Sequence, residues 1–199
     1  RFQLITTGKI SQKSLLFENQ HLERLRKASR YFAYPFDAED LRQKIEAKCQ
    51  SCDIDQDYRL RISLSKSGKI ELSRQILTPL TPTFCKAKIC LQEANLQQAF
   101  TYFKTTHRPH LSLGEQEKIY HNTKGELLET SIGNLVLKIA GKLCTPPVRL
   151  GILPGIYRQH LLETGQVEEK VLTLADLAQA EAIYGCNAVR GLYELTIES

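Results

Sequence analysis

The sequence predicts an α+β protein of two lobes: a small N-terminal α/β lobe over residues 1–78 and a larger, β-rich C-terminal lobe over 88–199. Three observations carry that prediction. Strand-type alternation brackets two helix-type stretches in the first third of the chain. A proline-bearing connector, TPLTPTFCK, follows and marks 79–87 as a linker, since prolines stiffen a segment and break regular pairing. Beyond it, strand–turn–strand patterns predominate. At 199 residues the chain can bury a real core as one large domain or two lobes.

The elements follow in order. RFQLITTG alternates apolar positions and reads as a strand, with KSLLFE as its hairpin partner. In NQHLERLRKASRYFAYPFD, the residues Leu22, Leu25, Ala28, Ser29 and Phe32 recur at three- and four-residue steps, which predicts an amphipathic helix stopped near Pro35. DAEDLRQKIEAKC begins a second helix: Asp37 can cap its amides, and acids occupy the first turn. YRLRISLSKSGKIELSRQIL alternates as a hairpin turning through Ser67 and Gly68. After the connector, AKICLQ and the stretch around Lys104 lead into the β-rich half. There KIYHNTKGELLET, NLVLKIAGKLCTPP and AIYGCNAVRGLYELTI carry strand–turn signals, with Gly125 and Gly141 at turns. GIYRQHLLETG and LTLADLAQAEA read as helices set between strands.

Composition narrows the function classes. Hydrophobic residues at 42% and charged residues at 25% describe an ordinary soluble globular protein. No apolar run approaches the roughly 18 residues needed to span a membrane. No signal peptide opens the sequence, so a cytoplasmic chain without a membrane partner is expected. It begins at Arg1 and contains no methionine, which leaves a longer natural chain open. The 27 basic residues are interleaved with 22 acids rather than clustered, so nucleic acid ranks below a small anionic substrate or a phosphate-bearing cofactor as partner. Cys49 and Cys52 form a lone C-x-x-C, Cys85 and Cys90 follow, and Cys144 and Cys186 stand apart. The pairs lack zinc-knuckle spacing and Cys49 ends a predicted helix; reduced thiols and no metal are expected.

Four stretches can carry chemistry. In LGILPGIYRQHLLETG, Pro154 and Gly155 precede a helix whose first amides, on Ile156 and Tyr157, can hold a phosphate. The alternative is an ordinary turn–helix junction. In GELLETSIGN, Glu129 leaves a short strand and Asn134 opens an apolar run; the carboxylate gains meaning only with a cation buried opposite it. In HLERL, His21 and Arg24 share a helical face, and Arg24 can clamp a phosphate, whereas Arg26, Lys27 and Arg30 read as solvated. In TYFKTTHRPH, Lys104 is either one more surface lysine or a reactive amine.

Taken in chain order, HLERL, FKTT.R, GELLETSIGN, TPPVRLGILPGIYR and CNAVRG resemble the class IV aminotransferases. These are fold-type IV pyridoxal-phosphate enzymes, D-amino-acid aminotransferase-like in fold. The likeness runs from about Phe2 to the last strand. It leans toward the 4-amino-4-deoxychorismate lyase branch, which similarly writes KTT.R around its lysine. The block TPP…G.LPG..R is the most specific of the set.

The resemblance implies pyridoxal 5'-phosphate as cofactor and Lys104 as the lysine joined to it, whose amine also shuttles the substrate Cα proton. Glu129 matches the carboxylate on the pyridinium nitrogen, which keeps the ring an electron sink. Arg24 matches the arginine on the 5'-phosphate, Ile156 and Tyr157 supply amides there, and Asn187 with Ala188 match a second phosphate-side loop; Asn134 falls on the cofactor side. Arg108 fits the lyase-like pattern, near the phenolic side of the ring or the substrate. Arg59 and Arg61 lie on a strand that in the family faces the substrate region; either can receive a carboxylate, with one face of the strand turned inward. A homodimer is implied, and association or fusion with aminodeoxychorismate synthase is left open. Three departures stand out: Pro109 where aminotransferases of this class carry tyrosine, Tyr157 where many carry threonine, and a shortened N-terminal segment. They weigh against transamination more than against cofactor binding. The expectation is therefore a lyase forming 4-aminobenzoate and pyruvate. The alternatives are an amino-acid aminotransferase, or a cofactor-binding protein of this fold with weak activity.

Overall fold

A computed structural model of the chain describes residues 2–92, 99–112 and 114–198. It divides into two compact units, Arg1–Pro79 with Phe103–Arg108, and Leu80–Tyr102 with Pro109–Ser199.

In the first unit, β1 (Leu4–Ser11) turns through Gln12 and Lys13 into β2 (Ser14–Leu15). β2 is shorter than KSLLFE suggests, because Phe17 adopts a left-handed conformation (φ 57°) and starts α1 (Glu18–Phe32). That helix ends where Ala33, also left-handed, donates its amide to the carbonyls of Arg30 and Ser29. α2 (Ala38–Gln50) opens as its sequence dictates: the Asp37 carboxylate accepts from the amides of Glu39 and Asp40 at 2.9 and 3.1 Å. β3 (Tyr58–Leu64) and β4 (Ile70–Ile76) form the hairpin, with Gly68 at φ 86° in its turn. The sheet runs β2-β1-β3-β4, antiparallel throughout.

Leu22, Leu25 and Ala28 from α1 and Leu41 and Ile45 from α2 bury against Leu4, Ile10, Leu60, Ile62 and Leu64 of the sheet. Fully burying a leucine or isoleucine is worth roughly 1.5–3 kcal/mol, so this stripe accounts for the unit's cohesion. Because Leu60, Ile62 and Leu64 take the core face, Arg59 and Arg61 both lie on the opposite one. The sequence leaves open which face of the strand points inward; the structure puts both arginines, two residues apart, on the face away from the core.

Lys104 also departs from the sequence-based division, which put it with residues 88–199. Thr105 bridges Leu4, the amide of Ile5 donates to the Lys104 carbonyl at 2.9 Å, and the amide of Thr106 donates to Gln3 at 2.9 Å. These bonds dock Phe103–Arg108 on β1 of the first unit.

The second unit opens with α3 (Pro82–Cys85), capped by Thr81, whose hydroxyl oxygen accepts from the Phe84 amide. Proline fits the first helical turn, where its missing N–H has no partner to lose, so residues 79–87 are a helical turn and a strand start rather than a bare connector. β5 (Lys86–Leu91), α4 (Ala99–Tyr102), β6 (Lys118–His121), β7 (Leu127–Thr130), β8 (Asn134–Ile139) and β9 (Lys142–Thr145) follow. After a 3-10 turn at Val148–Leu150 come α5 (Ile156–Glu163), β10 (Glu168–Glu169), α6 (Leu174–Ala178), β11 (Ala182–Asn187) and β12 (Gly191–Ile197). α6 covers only part of LTLADLAQAEA; Thr173 and Asp176 close a capping box at its start.

The strands run β10-β9-β8-β11-β12-β5-β6-β7, and a further β7–β8 pairing closes the ring. The register of that closure is Glu129 opposite Asn134. Leu127, Leu135, Leu137, Ile119, Ala87 and Leu195 fill one side. Among the described residues, no helix is long and apolar enough to cross a membrane.

Candidate cofactor site

In the first unit, α1 brings His21 and Arg24 to one face, and the docked segment brings Lys104 and Arg108 into electrostatic reach of them. His21 is fully buried, not surface-facing as the polar side of an amphipathic helix suggests. Its Nδ1 lies 2.6 Å from the Thr6 hydroxyl, and its ring fills the space left by Gly8, where a Cβ would come within 2.5 Å of Nε2. Burial, with Arg24 and Lys104 adding repulsion, lowers its pKa to about 3, so the imidazole is neutral at pH 7. Arg24 is half-buried; loss of hydration and the nearby Arg108 bring its pKa down to about 10, still charged at neutral pH. Lys104 and Arg108 are half-buried. Arg24 and Arg108 thus lie within electrostatic reach of each other, and Arg24 and Lys104 within reach of the neutral His21. Arg59 and Arg61 belong to the sheet face opposite the core.

In the second unit, Glu129 is 2% exposed and lies at the closure of the ring. Its Oε1 accepts from the Leu153 amide at 3.4 Å, while the Leu153 carbonyl accepts from Asn134 Nδ2 at 2.8 Å. Asn134 therefore grips the same residue that orients Glu129. Its Oδ1 also lies where a Cβ on Gly155 would be, at 1.9 Å, so only glycine fits there. Gly155 is the N-cap of α5 and provides no side-chain acceptor, which leaves the helix start, with the amides of Ile156 and Tyr157, able to receive an anion. The Tyr157 ring packs over Gly191, whose added Cβ would stand 3.3 Å from the Tyr157 hydroxyl oxygen. That contact joins the α5 start to the β11–β12 turn. Within that turn Asn187 is structural: its Oδ1 accepts from the amides of Val189 and Arg190 at 2.9 Å, and its Nδ2 donates to Ile132. Ala188, beside it, is buried.

Sequence reasoning missed Leu153, Glu117 and the burial of His21. Leu153 acts through its backbone, which no side-chain pattern reveals. Glu117 looks no different from Glu115 in GEQEKIY.

The family model for class IV aminotransferases matches residues 3–196. The chain belongs to that family. Class IV aminotransferases use pyridoxal 5'-phosphate and act on small molecules. Over 127 residues the chain is 28% identical to the aminodeoxychorismate lyase of Saccharomyces cerevisiae, covering 51% of this chain and 34% of that protein. It spans about a third to two fifths of the length of the curated relatives it matches. A Mesorhizobium loti structure described as an amino-acid aminotransferase superposes with a TM-score of 0.86 at 27% identity, covering 100% of both chains. A Legionella pneumophila structure described as a 4-amino-4-deoxychorismate lyase gives 0.77 at 22% identity, covering 98% of this chain and 82% of that one. The fold is that of the class IV aminotransferases, mixed α/β with β-rich sheets and a barrel-like closure.

The residues present fit the family's cofactor. In the first unit, Arg24 is of the type that suits a phosphate; in the second, the α5 start has no side-chain cap and the buried Glu129 carboxylate suits a protonated ring nitrogen.

Proposed function

We propose that the chain is a pyridoxal-phosphate lyase that converts 4-amino-4-deoxychorismate to 4-aminobenzoate and pyruvate, a step toward folate. The observation that carries the cofactor reading is Glu129: a carboxylate 2% exposed at the ring closure, with its Oε1 accepting from the Leu153 amide, suits a protonated pyridinium nitrogen. When bound, pyridoxal phosphate supplies an electron-withdrawing ring that stabilises negative charge at the substrate Cα. Arg24 is the proposed phosphate-side arginine of the first unit, and the amides of Ile156 and Tyr157 are the proposed phosphate-side donors of the second. Lys104 would hold the cofactor through its Nζ, and the same amine would take the substrate Cα proton. Loss of the enolpyruvyl group then leaves an aromatic ring, which supplies the driving force. Arg108, Arg59 and Arg61 are the side chains offered to substrate carboxylates.

Pro109, in the place of the aminotransferase tyrosine, favours the lyase, as does the yeast relative. The second reading, amino-acid transamination with the same lysine and glutamate, is favoured by the likeness to the Mesorhizobium loti protein. We further infer a cytoplasmic homodimer, acting alone or joined to aminodeoxychorismate synthase.

The purified protein is expected to be yellow or to become so with added pyridoxal phosphate, and Lys104→Ala to abolish the visible band. A parent protein that stays colourless sinks both readings. Pyruvate released from aminodeoxychorismate without any keto acid marks the lyase; strict dependence on a keto acid marks the aminotransferase.

A further inference from the structure

A second glutamate of the C-terminal unit is buried more completely than Glu129, and the proposed chemistry does not use it. Glu117, just before β6, is 0% exposed. Its Oε1 accepts from the amides of Ser131 at 2.8 Å and Lys118 at 3.1 Å; its Oε2 accepts from the hydroxyls of Tyr193 at 2.9 Å and Thr130 at 3.1 Å. Two of these donors are backbone amides, which can only donate. Tyr193 also donates, because burial above all, and then Glu117 itself, push its pKa well up and keep the phenol protonated. The carboxylate thus accepts in each of these bonds.

Thr130 and Ser131 begin the turn that joins β7 to β8, directly after Glu129 and directly before Asn134. Within the turn, the Thr130 oxygen also accepts from the Gly133 amide at 3.0 Å. The Tyr193 ring is wedged below it: a Cβ on Gly185 would fall 2.3 Å from that ring, and one on Gly133 would fall 3.0 Å from its hydroxyl oxygen. On its far side Ile132 is held through its carbonyl by Asn187. Glu117 therefore grips the short segment that separates the two side chains facing each other at the ring closure.

We propose that Glu117, braced by Tyr193, is a positioning residue for Glu129: by pinning the 130–133 turn it fixes where the Glu129 carboxylate meets the pyridinium nitrogen. This rests on the cofactor reading of Glu129. It differs from a merely structural role in one respect. A structural glutamate changes stability only, whereas a positioning glutamate changes cofactor affinity and ring protonation, and does so through Glu129.

The test is a double-mutant cycle on the full chain, titrated with pyridoxal phosphate. Visible absorbance gives the Kd, the pH dependence of the bound spectrum gives the ring's protonation, and a thermal melt checks folding. Glu117→Gln keeps the shape and removes the charge. It is expected to weaken binding about tenfold, within the range that coupled neighbours show, and to shift the spectral pH midpoint. In a Glu129→Gln background the same change should alter the Kd less than twofold. Tyr193→Phe removes one donor and should act in the same direction more weakly; it carries the cycle if Glu117→Gln does not fold. Equal effects in both backgrounds, or an unchanged Kd and spectrum for the folded variants, overturn the proposal. A parent protein without a cofactor band, or a Glu129→Gln variant with the parent's affinity and spectrum, overturns the underlying reading of Glu129 and the proposal with it.

Discussion

The cationic cluster of the N-terminal unit and the carboxylate cluster of the C-terminal unit hold charge in opposite ways. In the first, like charges depress one another: Arg24 is lowered to about 10 by burial and Arg108, and His21 to about 3 by burial, Arg24 and Lys104. In the second, Glu117 is surrounded by donors and Glu129 is aimed by a backbone amide. One arrangement sets basic groups against one another; the other sets carboxylates against hydrogen-bond donors.

The sharpest way to break that contrast is Arg24→Gln. A charge-assisted hydrogen bond is worth about 1.5–3 kcal/mol, so affinity for pyridoxal phosphate should fall roughly ten- to hundredfold. A melt of the apo variant checks that it still folds. Calorimetry with and without cofactor reads both quantities. An unchanged Kd removes Arg24 from the phosphate site.

A smaller effect tests the second cluster. Gly155→Ala places a methyl 1.9 Å from Asn134 Oδ1, so Asn134 must leave its bond to Leu153. The cost should be about 1–3 kcal/mol of stability, as for overpacked cores. In an Asn134→Ala background the obstacle is gone, and the added cost of Gly155→Ala should shrink to a fraction of that. Equal costs in the two backgrounds, measured by denaturant unfolding, disprove the lock between Asn134 and the α5 start.

The two clusters also differ in how much of them the sequence displays. Elements built on side-chain periodicity or capping were legible: α1 from its apolar stripe, α2 from Asp37, the hairpin turn at Gly68. The cations of the first cluster are side chains in motifs, so HLERL and FKTT named them. The second cluster is shaped by backbone groups and tight approaches. The Leu153 amide, the space beside Gly155 and the grip of Glu117 depend on which strands close the ring, and pairing between distant strands leaves no local signature. The placement of Phe103–Arg108 on β1 was hidden for the same reason: a few bonds to Gln3, Leu4 and Ile5 outweigh its proximity in sequence to the second unit.

The mildest test concerns His21, the neutral member of the cationic cluster. Its folded pKa of about 3 lies below the ordinary 6.5, so between those values the unfolded chain binds a proton that the folded chain refuses. Stability from this group is intact above pH 6.5 and is lost as pH falls toward 3, at a slope of roughly 1.4 kcal/mol per pH unit in mid-window. Between pH 7 and 5 the carboxylates whose pKa is lowered, Asp57, Asp176 and Glu198, stay ionised in the folded chain, which leaves the window clear for His21. His21→Asn, which can still accept from Thr6, should flatten the stability curve there by about 1–2 kcal/mol relative to the parent, the other histidines cancelling in the difference. Arg24→Gln should raise the pH at which the loss levels off, since Arg24 is the larger of the two charges that help hold His21 neutral. Parallel curves for parent and His21→Asn would mean that the imidazole protonates within the fold, and that burial with Arg24 and Lys104 does not hold it neutral.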